Sequence, residues 1–290
     1  MHSSLPALGE PTAGKKFFKA LLELNVLLLV LLASTTQTHA VRPFVTDDAR
    51  IIDYGQIEIE NWLETTHAHG DWAPAPGFNM IGGIGLTDWL EVLAGSGIGR
   101  DPGHKTTIGN PILMTKFLLK PAEVDGPPGY AIGASSVFDS GRGSMHGKGA
   151  VYNLIGMSTY RLYEDRLNLH VNLGLRTDKE RRGARRTRAF WGAGASVQVF
   201  HEQTLVIGEV YAGDPLVLNA PKYAVQTGLR WLYSDYMQFD LTVGTEPKLD
   251  ARQRRIGSFE KTGQIGIRFL FDVFTRHGRP GNPEGARGLF

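Results

Sequence analysis

The sequence predicts an all-β protein: a closed antiparallel transmembrane β-barrel of about twelve strands, with short turns at one end and longer loops at the other. Its apolar residues alternate with period two, and the alternating segments are each about ten residues long, the length a tilted strand needs to cross a bilayer. The connections between segments alternate between short and long, as in outer-membrane barrels.

The alternation is cleanest from Arg166 to Arg176. Leu167, Leu169, Val171, Leu173 and Leu175 fall on one face, and Asn168, His170, Asn172, Gly174 and Arg176 on the other. A helix would scatter these residues around its circumference, whereas a strand separates them completely. The same separation recurs at Tyr223 to Tyr233, Met237 to Thr245 and Gly263 to Val273.

In chain order, residues 1–40 read as a secretory signal. Lys15, Lys16 and Lys19 form its basic region, Leu21 to Ala33 its apolar region, and Thr38-His39-Ala40 its cleavage site. Glu23 and Asn25 interrupt the apolar run, which is too short to span a bilayer as a helix. Residues 41–53 are expected as a periplasmic N-terminal segment, 54–274 as the barrel and 275–290 as a polar C-terminal tail. The strands are expected at 55–65, 77–87, 89–99, 108–119, 129–139, 150–161, 166–176, 188–200, 204–213, 223–233, 236–245 and 262–273.

Short connections are Thr87-Asp88, Tyr163-Glu164-Asp165, His201-Glu202-Gln203 and Ser234-Asp235. Long ones, rich in Gly, Pro and charge, are His67 to Pro76, Arg100 to Thr107, Ser140 to Lys148, Thr177 to Thr187, Asp214 to Lys222 and Glu246 to Phe259. An even strand number leaves both termini and all the short turns in the periplasm. Lys120 to Gly129 breaks the alternation, being long where a short turn is expected.

The apolar face is expected to meet lipid. Tyr130, Phe138, Tyr152, Tyr160, Trp191, Tyr223, Trp231 and Tyr233 share its parity near strand ends, as aromatic girdles do. The opposite parity carries Glu58, Glu60, Glu91, Lys116, His170, Arg176, Glu209, Arg230, Asp240, Arg268 and Asp272. A dry core does not tolerate that many ionisable groups, so a watery, mixed-charge lumen is expected. Closure brings the last strand beside the first, and with it Arg268 beside Glu58 and Glu60, with Arg230 and Asp240 on the preceding strands. The apolar-aromatic final strand, with Ile265, Ile267, Phe269 and Phe271, is similar to the signal read by the barrel-assembly machinery.

Arg42-Pro43-Phe44-Val45-Thr46-Asp47-Asp48-Ala49, followed by Gly55-Gln56-Ile57-Glu58-Ile59-Glu60, resembles the opening of a known barrel family. Further echoes are Gly85-Leu86-Thr87-Asp88-Trp89-Leu90-Glu91, the strand from Gly109-Asn110 to Lys116, and Glu209 within Val206 to Tyr211. The family is that of the outer-membrane barrels named for the MetA pathway of phenol degradation, also filed as transporters. The resemblance spans nearly the whole mature chain and implies passage of hydrophobic or aromatic compounds through the outer membrane. Within the opening motif, Arg42, Pro43, Thr46, Asp47 and Asp48 precede the first strand at the periplasmic mouth. There they either plug the lumen, pair with its arginines, or form a simple turn.

Other chemistry finds little footing. The chain has no cysteine, hence no disulfide, thiolate metal site or cysteine nucleophile, and its formal net charge of +2 argues against a nucleic-acid partner. There is no G-x-S-x-G motif. Ser158 and His170, the pair a barrel acyl-hydrolase would need, lie on opposite parities of neighbouring strands. His67, His69, Asp71, His104 and His146 fall in long connections and are expected as exposed loop residues, not zinc or copper ligands, so no cofactor is predicted. Arg181, Arg182, Arg185 and Arg186 crown an outer loop, where guanidinium groups suit the phosphates of lipopolysaccharide or are simply solvated.

The reading is therefore a Gram-negative outer-membrane barrel, not an enzyme, through which a small solute passes. About twelve strands enclose a bore between those of filled eight-stranded barrels and open sixteen-stranded porins. The alternatives are a structural or lipopolysaccharide-contacting barrel that conducts nothing and, from the enzyme class, a barrel acyl-hydrolase.

Overall fold

The structure, a computed structural model, describes residues 44–67, 77–100, 105–179, 185–200, 202–216, 223–249 and 255–273. The signal segment, Arg42, Pro43, Arg181, Arg182, His69, Asp71, His104 and the C-terminal tail lie outside the described residues.

Thirteen strand segments follow one another: β1 (Gln56–His67), β2 (Gly77–Thr87), β3 (Leu90–Arg100), β4 (Thr106–Ile108), β5 (Ile112–Lys120), β6 (Gly129–Val137), β7 (Val151–Leu162), β8 (Leu167–Lys179), β9 (Arg185–Gln198), β10 (Thr204–Ala212), β11 (Ala224–Ser234), β12 (Met237–Leu249) and β13 (Arg255–Asp272). β4 and β5 both pair with β3, from Arg100↔Thr106 down to Leu90↔Phe117, so they are two halves of one stave and the wall has twelve. The break falls at Gly109 to Pro111. Proline has no N–H to give the ladder. Asn110 takes its place, donating to the carbonyls of Phe138 (2.7 Å) and Gly147 (2.9 Å) and accepting from Gly147 N (2.8 Å).

All ladders are antiparallel, and β1 pairs with β13 from Gln56↔Asp272 to His67↔Lys261. Closure removes both sheet edges, which lipid would leave without hydrogen-bond partners. Among the described residues no helix is long and apolar enough to cross a membrane, so crossing is by strands.

Two expected loops are strands instead. β8 and β9 stay paired to Lys179↔Arg185, and β12 and β13 to Leu249↔Arg255, so Thr177 to Thr187 and Glu246 to Phe259 are mostly hairpin arms. Charge at these positions read as loop. A ribbon exposed on both faces, as at Arg186 to Ala189, still satisfies its backbone through the ladder.

The irregular connection Lys120 to Gly129 also finds its reason. It folds over the neighbouring β7–β8 turn, whose Tyr163, Glu164 and Asp165 all have positive φ. Asp125 N donates to Arg161 O (2.8 Å), and the Asp125 carboxylate accepts from Tyr163 N (2.6 Å) and Glu164 N (2.8 Å). The extra residues cap a turn that three left-handed non-glycine residues would otherwise strain.

The wall is apolar outside, and inside it is polar apart from an apolar cluster that includes Met114, Ala131, Ile155, Met157 and Phe190. On β8, Val171 (41% exposed), Leu173 and Leu175 face out, while Asn168, Asn172 and Arg176 are buried. Every aromatic residue assigned to the girdles is exposed. Several form contacts across the outer surface, with Trp231 stacked on Phe239 at 5.6 Å and Trp89 on Phe117 at 5.9 Å. A continuous apolar exterior around a largely polar interior is the inverse of a soluble fold and is stable only in lipid. Val171→Arg is accordingly expected to cost about 2–4 kcal/mol if the residue lies near the bilayer midplane. A urea titration in vesicles checks this, and a midpoint equal to the parent's would argue that β8 does not face lipid there.

Candidate functional site

The interior is built around residues Phe44 to Ile52, which run as a strap inside the barrel from the short-turn end. Its entry is set by Gly85 on β2, where an added Cβ would lie 2.1 Å from Asp53 O. Gly55, at φ 81°, donates to Gly85 O (2.9 Å) and accepts from Val273 N (2.9 Å), tying the bend to the seam.

Five backbone N–H groups of the strap donate to wall side chains, and those of Asp48 and Arg50 donate to the strap's own Asp47 and Asp48 carboxylates, as buried polar groups require. Ile52 N donates to Glu91 Oε2 (2.6 Å) on β3, and Ala49 N to Thr159 Oγ1 (2.8 Å) on β7. Asn172 on β8 accepts from Asp47 N and donates to Asp47 O, both at 2.7 Å. Glu209 on β10 accepts Val45 N at 2.8 Å and Thr46 N at 2.6 Å, and also Gln226 Nε2 from β11. β9 passes beneath Thr46 with glycine at Gly192, where a Cβ would lie 2.7 Å from the Thr46 hydroxyl. Phe44, at the strap's far end, lies under the Arg230 guanidinium at 5.3 Å.

Lys116 on β5 is the charge centre. It is 1% exposed, and its Nζ lies 3.0 Å from both carboxylate oxygens of Asp47, 3.2 Å from Asp48 O and 3.5 Å from Glu91 Oε1. Asp48 in turn holds Arg50 at 2.7 Å. At the seam, Arg268 Nη2 lies 2.6 Å from Glu58 Oε2, and Arg268 is the register partner of Glu60. Arg230 and Asp240, also register partners, meet at 2.8 Å.

The interior is thus not the watery lumen expected from the charge pattern. Glu58, Glu60, Glu91, Lys116 and Arg268 are all buried, and their charges are tolerated because partners and strap amides surround them. The other anticipated residues are spread out. His170 Nδ1 lies 3.0 Å from Thr159 Oγ1, away from Ser158, whose register partner is Val171. Arg176 donates to Asp214 O (3.1 Å) towards the long-loop end. Arg186 is exposed on the β8–β9 arm, and the Arg185 side chain lies outside the described residues. Asp272 accepts from Gln56 (2.8 Å) and Tyr236 (3.1 Å) at the short-turn end. His146 lies 3.2 Å from Asp139, and no group of three or more metal-ligating side chains gathers among the described residues.

Sequence reasoning passed over the fold-back between β10 and β11. Asp214 to Leu216 turns into the barrel, where Pro215 O accepts from Ser135 (3.1 Å) and Asn153 (2.6 Å) and Leu216 is buried. Ser135 and Asn153 could have been found by their inward parity; nothing in the sequence marks Leu216. Between this fold-back and the strap lies a small cavity of about 20 Å³, room for little more than a water molecule. Ile81, Leu93, Ile112, Met114 and Leu216 form its wall, and Asp47, Glu60 and Glu91 border it without turning polar surface into it.

A family profile described as "Uncharacterised conserved protein UCP029691" matches residues 28–255. The chain belongs to this family. No curated protein matches its sequence. Among solved structures, the COG4313 outer membrane channel from Pseudomonas putida F1 is 10% identical, with 81% of this chain and all (100%) of that chain covered at a TM-score of 0.50. A KdgM porin in complex with disordered oligogalacturonate is 9% identical, covers 74% of this chain and 99% of that one, and has a TM-score of 0.49. At such identities the likeness to the COG4313 channel is one of fold: a closed antiparallel barrel of the outer-membrane type. It agrees with the barrel part of the resemblance to the phenol-degradation family, while the family that the profile identifies is the uncharacterised one.

Proposed function

We propose that this family member is a Gram-negative outer-membrane barrel that passes a small solute with an apolar, for example aromatic, body. The cavity between strap and fold-back supports the reading. Its lining is apolar, so an apolar body is what it would admit, and anything larger than water enters only when the strap or the fold-back moves. The resemblance to the phenol-degradation barrels points the same way. Passage requires the strap or the fold-back to yield, so conduction is expected to be small and intermittent. In planar bilayers the full-length mature chain should give brief, low-conductance openings, and proteoliposomes should take up toluene-sized solutes faster than empty vesicles. Absence of both, in the parent and in a variant with a loosened strap, would leave the second reading, a structural barrel without a conducting path, which the filled interior favours.

The same reading places the short turns in the periplasm and the long connections outside. The arginines Arg181, Arg182, Arg185 and Arg186 then lie towards lipopolysaccharide phosphate, and the barrel-assembly machinery inserts the chain. A tag at Thr187 is expected to be labelled on intact cells and one at Ser234-Asp235 only after permeabilisation. The reverse pattern would invert the orientation.

A further inference from the structure

We infer that the strap is tied to the wall covalently, by an isopeptide (amide) bond between Lys116 Nζ on β5 and Cγ of Asp47, with Glu91 on β3 as the proton carrier. The bond goes beyond the solute-passage reading and does not rest on it.

The three groups that such a condensation needs are buried together. Lys116, Asp47 and Glu91 are 1%, 5% and 2% exposed. Lys116 Nζ lies 3.0 Å from each Asp47 oxygen, which sets it against the carbon between them at roughly the 3–3.5 Å of a near-attack pair. Asp48 N donates to Asp47 Oδ1 (2.8 Å), so negative charge developing on that oxygen meets a fixed donor. Glu91 is oriented by Ile52 N, which donates to its Oε2 (2.6 Å). Its Oε1 lies 3.5 Å from Nζ and has no hydrogen-bond donor, so it is placed to take a proton from the nitrogen. The other carboxylate near Nζ, that of Asp48, stands off at 4.0 Å and is engaged by Arg50 at 2.7 Å. An ion pair alone accounts for the contact between Lys116 and Asp47, but not for a second carboxylate oxygen left beside the nitrogen without a donor. Burial also favours the amide. In water, hydration holds the separated ions below it, and a dry interior withdraws that hydration.

The step is a condensation. A proton passes from the ammonium through Glu91 to Asp47 Oδ2, leaving a neutral amine and a neutral carboxyl group. The nitrogen lone pair attacks Cγ, the N–C bond forms, and charge gathers on Oδ1 under Asp48 N. Glu91 takes a second proton from the nitrogen and gives it to Oδ2. The C–Oδ2 bond breaks, and Oδ2 leaves as water with both protons. Nothing is oxidised or reduced, and no co-reactant is required. Glu91 ends as the carboxylate it began as, and the remaining amide N–H lies beside Oε1, supplying the donor that oxygen lacks. The adjoining cavity of about 20 Å³ has room for the departing water but no polar surface to hold it, so hydrolysis of the bond lacks a resident water. With the strap tied at Asp47, the fold-back is the part left to yield when a solute passes.

Chains recovered from inclusion bodies start without the bond, so refolding the full-length mature protein into detergent starts the clock. Mass spectrometry of the intact chain is expected to show the loss of one water as the barrel forms, and a tryptic digest a branched peptide joining Lys116 to Asp47. Protein extracted from outer membranes should carry the same branch. Lys116→Arg should keep its full mass. Glu91→Gln should slow bond formation at least about a hundredfold. A parent at full mass overturns the inference. So does a parent that has lost water without the branched peptide, as a succinimide at Asp47-Asp48 would, and so does a Glu91→Gln chain that bonds at the parent's rate. Should either variant not fold, the branched peptide in the parent still decides.

Discussion

Arg268→Glu is expected to unfold the barrel at its seam. Arg268 is 1% exposed, 2.6 Å from Glu58 and opposite Glu60 in register. Removing one member of a buried ion pair costs about 3–5 kcal/mol, because the remaining charge is stranded without water. Here the substitution also adds a third carboxylate, so the loss should reach the upper end of that range. The cost falls on the one ladder, β1 with β13, that turns a sheet into a barrel. A urea titration after refolding into vesicles, followed by the heat-dependent shift in gel mobility, reads the effect. Arg268→Lys should lose far less. The pattern of charges alone suggests the opposite outcome: in a hydrated lumen such pairs are worth about 0–1 kcal/mol, and Arg268→Glu would leave the fold intact and only shift ion selectivity towards cations. Burial is what reverses the expectation. A variant with the parent's unfolding midpoint would show that water reaches the seam.

Lys116→Met should release the strap while leaving the wall closed. Methionine fills most of the lysine volume, so the β5 ladders survive, but Asp47 and Glu91 lose the cation that lies 3.0 and 3.5 Å away. The stranded carboxylates again cost about 3–5 kcal/mol, and the chain can escape that cost by moving Asp47 to water. The expected results are protease cleavage between Phe44 and Ile52 in a barrel that keeps its heat-modifiable mobility, and larger, longer conductance steps than the parent's. Asp47→Asn added to Lys116→Met should restore part of the protection. If the strap of Lys116→Met stays as protected as the parent's, then Glu209 and Asn172 hold it without the charge centre.

The two walls of the molecule differ in how far the sequence discloses them. The outer face is legible because lipid asks only for apolar residues at every second position, and Leu167 to Leu175 or Val225 to Tyr233 meet that demand with local information alone. The ends of strands are less so. The charged β8–β9 arm read as loop because charge marks exposure, not the absence of a ladder. The interior is legible as to parity and not as to partners. Inward charges at Glu209 and Lys116 announce themselves, but Glu209 meets Val45 and Thr46 across 164 and 163 residues of chain. No periodicity encodes that meeting. The strap motif left a plug and a simple turn equally open for the same reason. Asn172 shows the consequence for mutation. By parity alone Asn172→Arg looks mild, yet Asn172 is 2% exposed and makes both 2.7 Å bonds to Asp47, so the larger side chain displaces the strap.

The strap touches β3 at Glu91, β5 at Lys116, β7 at Thr159, β8 at Asn172 and β10 at Glu209. These staves are spread around the circumference, and their ladders to immediate neighbours say nothing about the distance across the bore. A ring joined only along its rim can flatten without breaking a single joint. Spokes forbid that, because flattening stretches some of them and compresses others. The segment that obstructs the bore is therefore also what keeps its section round against the lateral pressure of the bilayer, and a barrel whose strap has swung out should be the more compliant one.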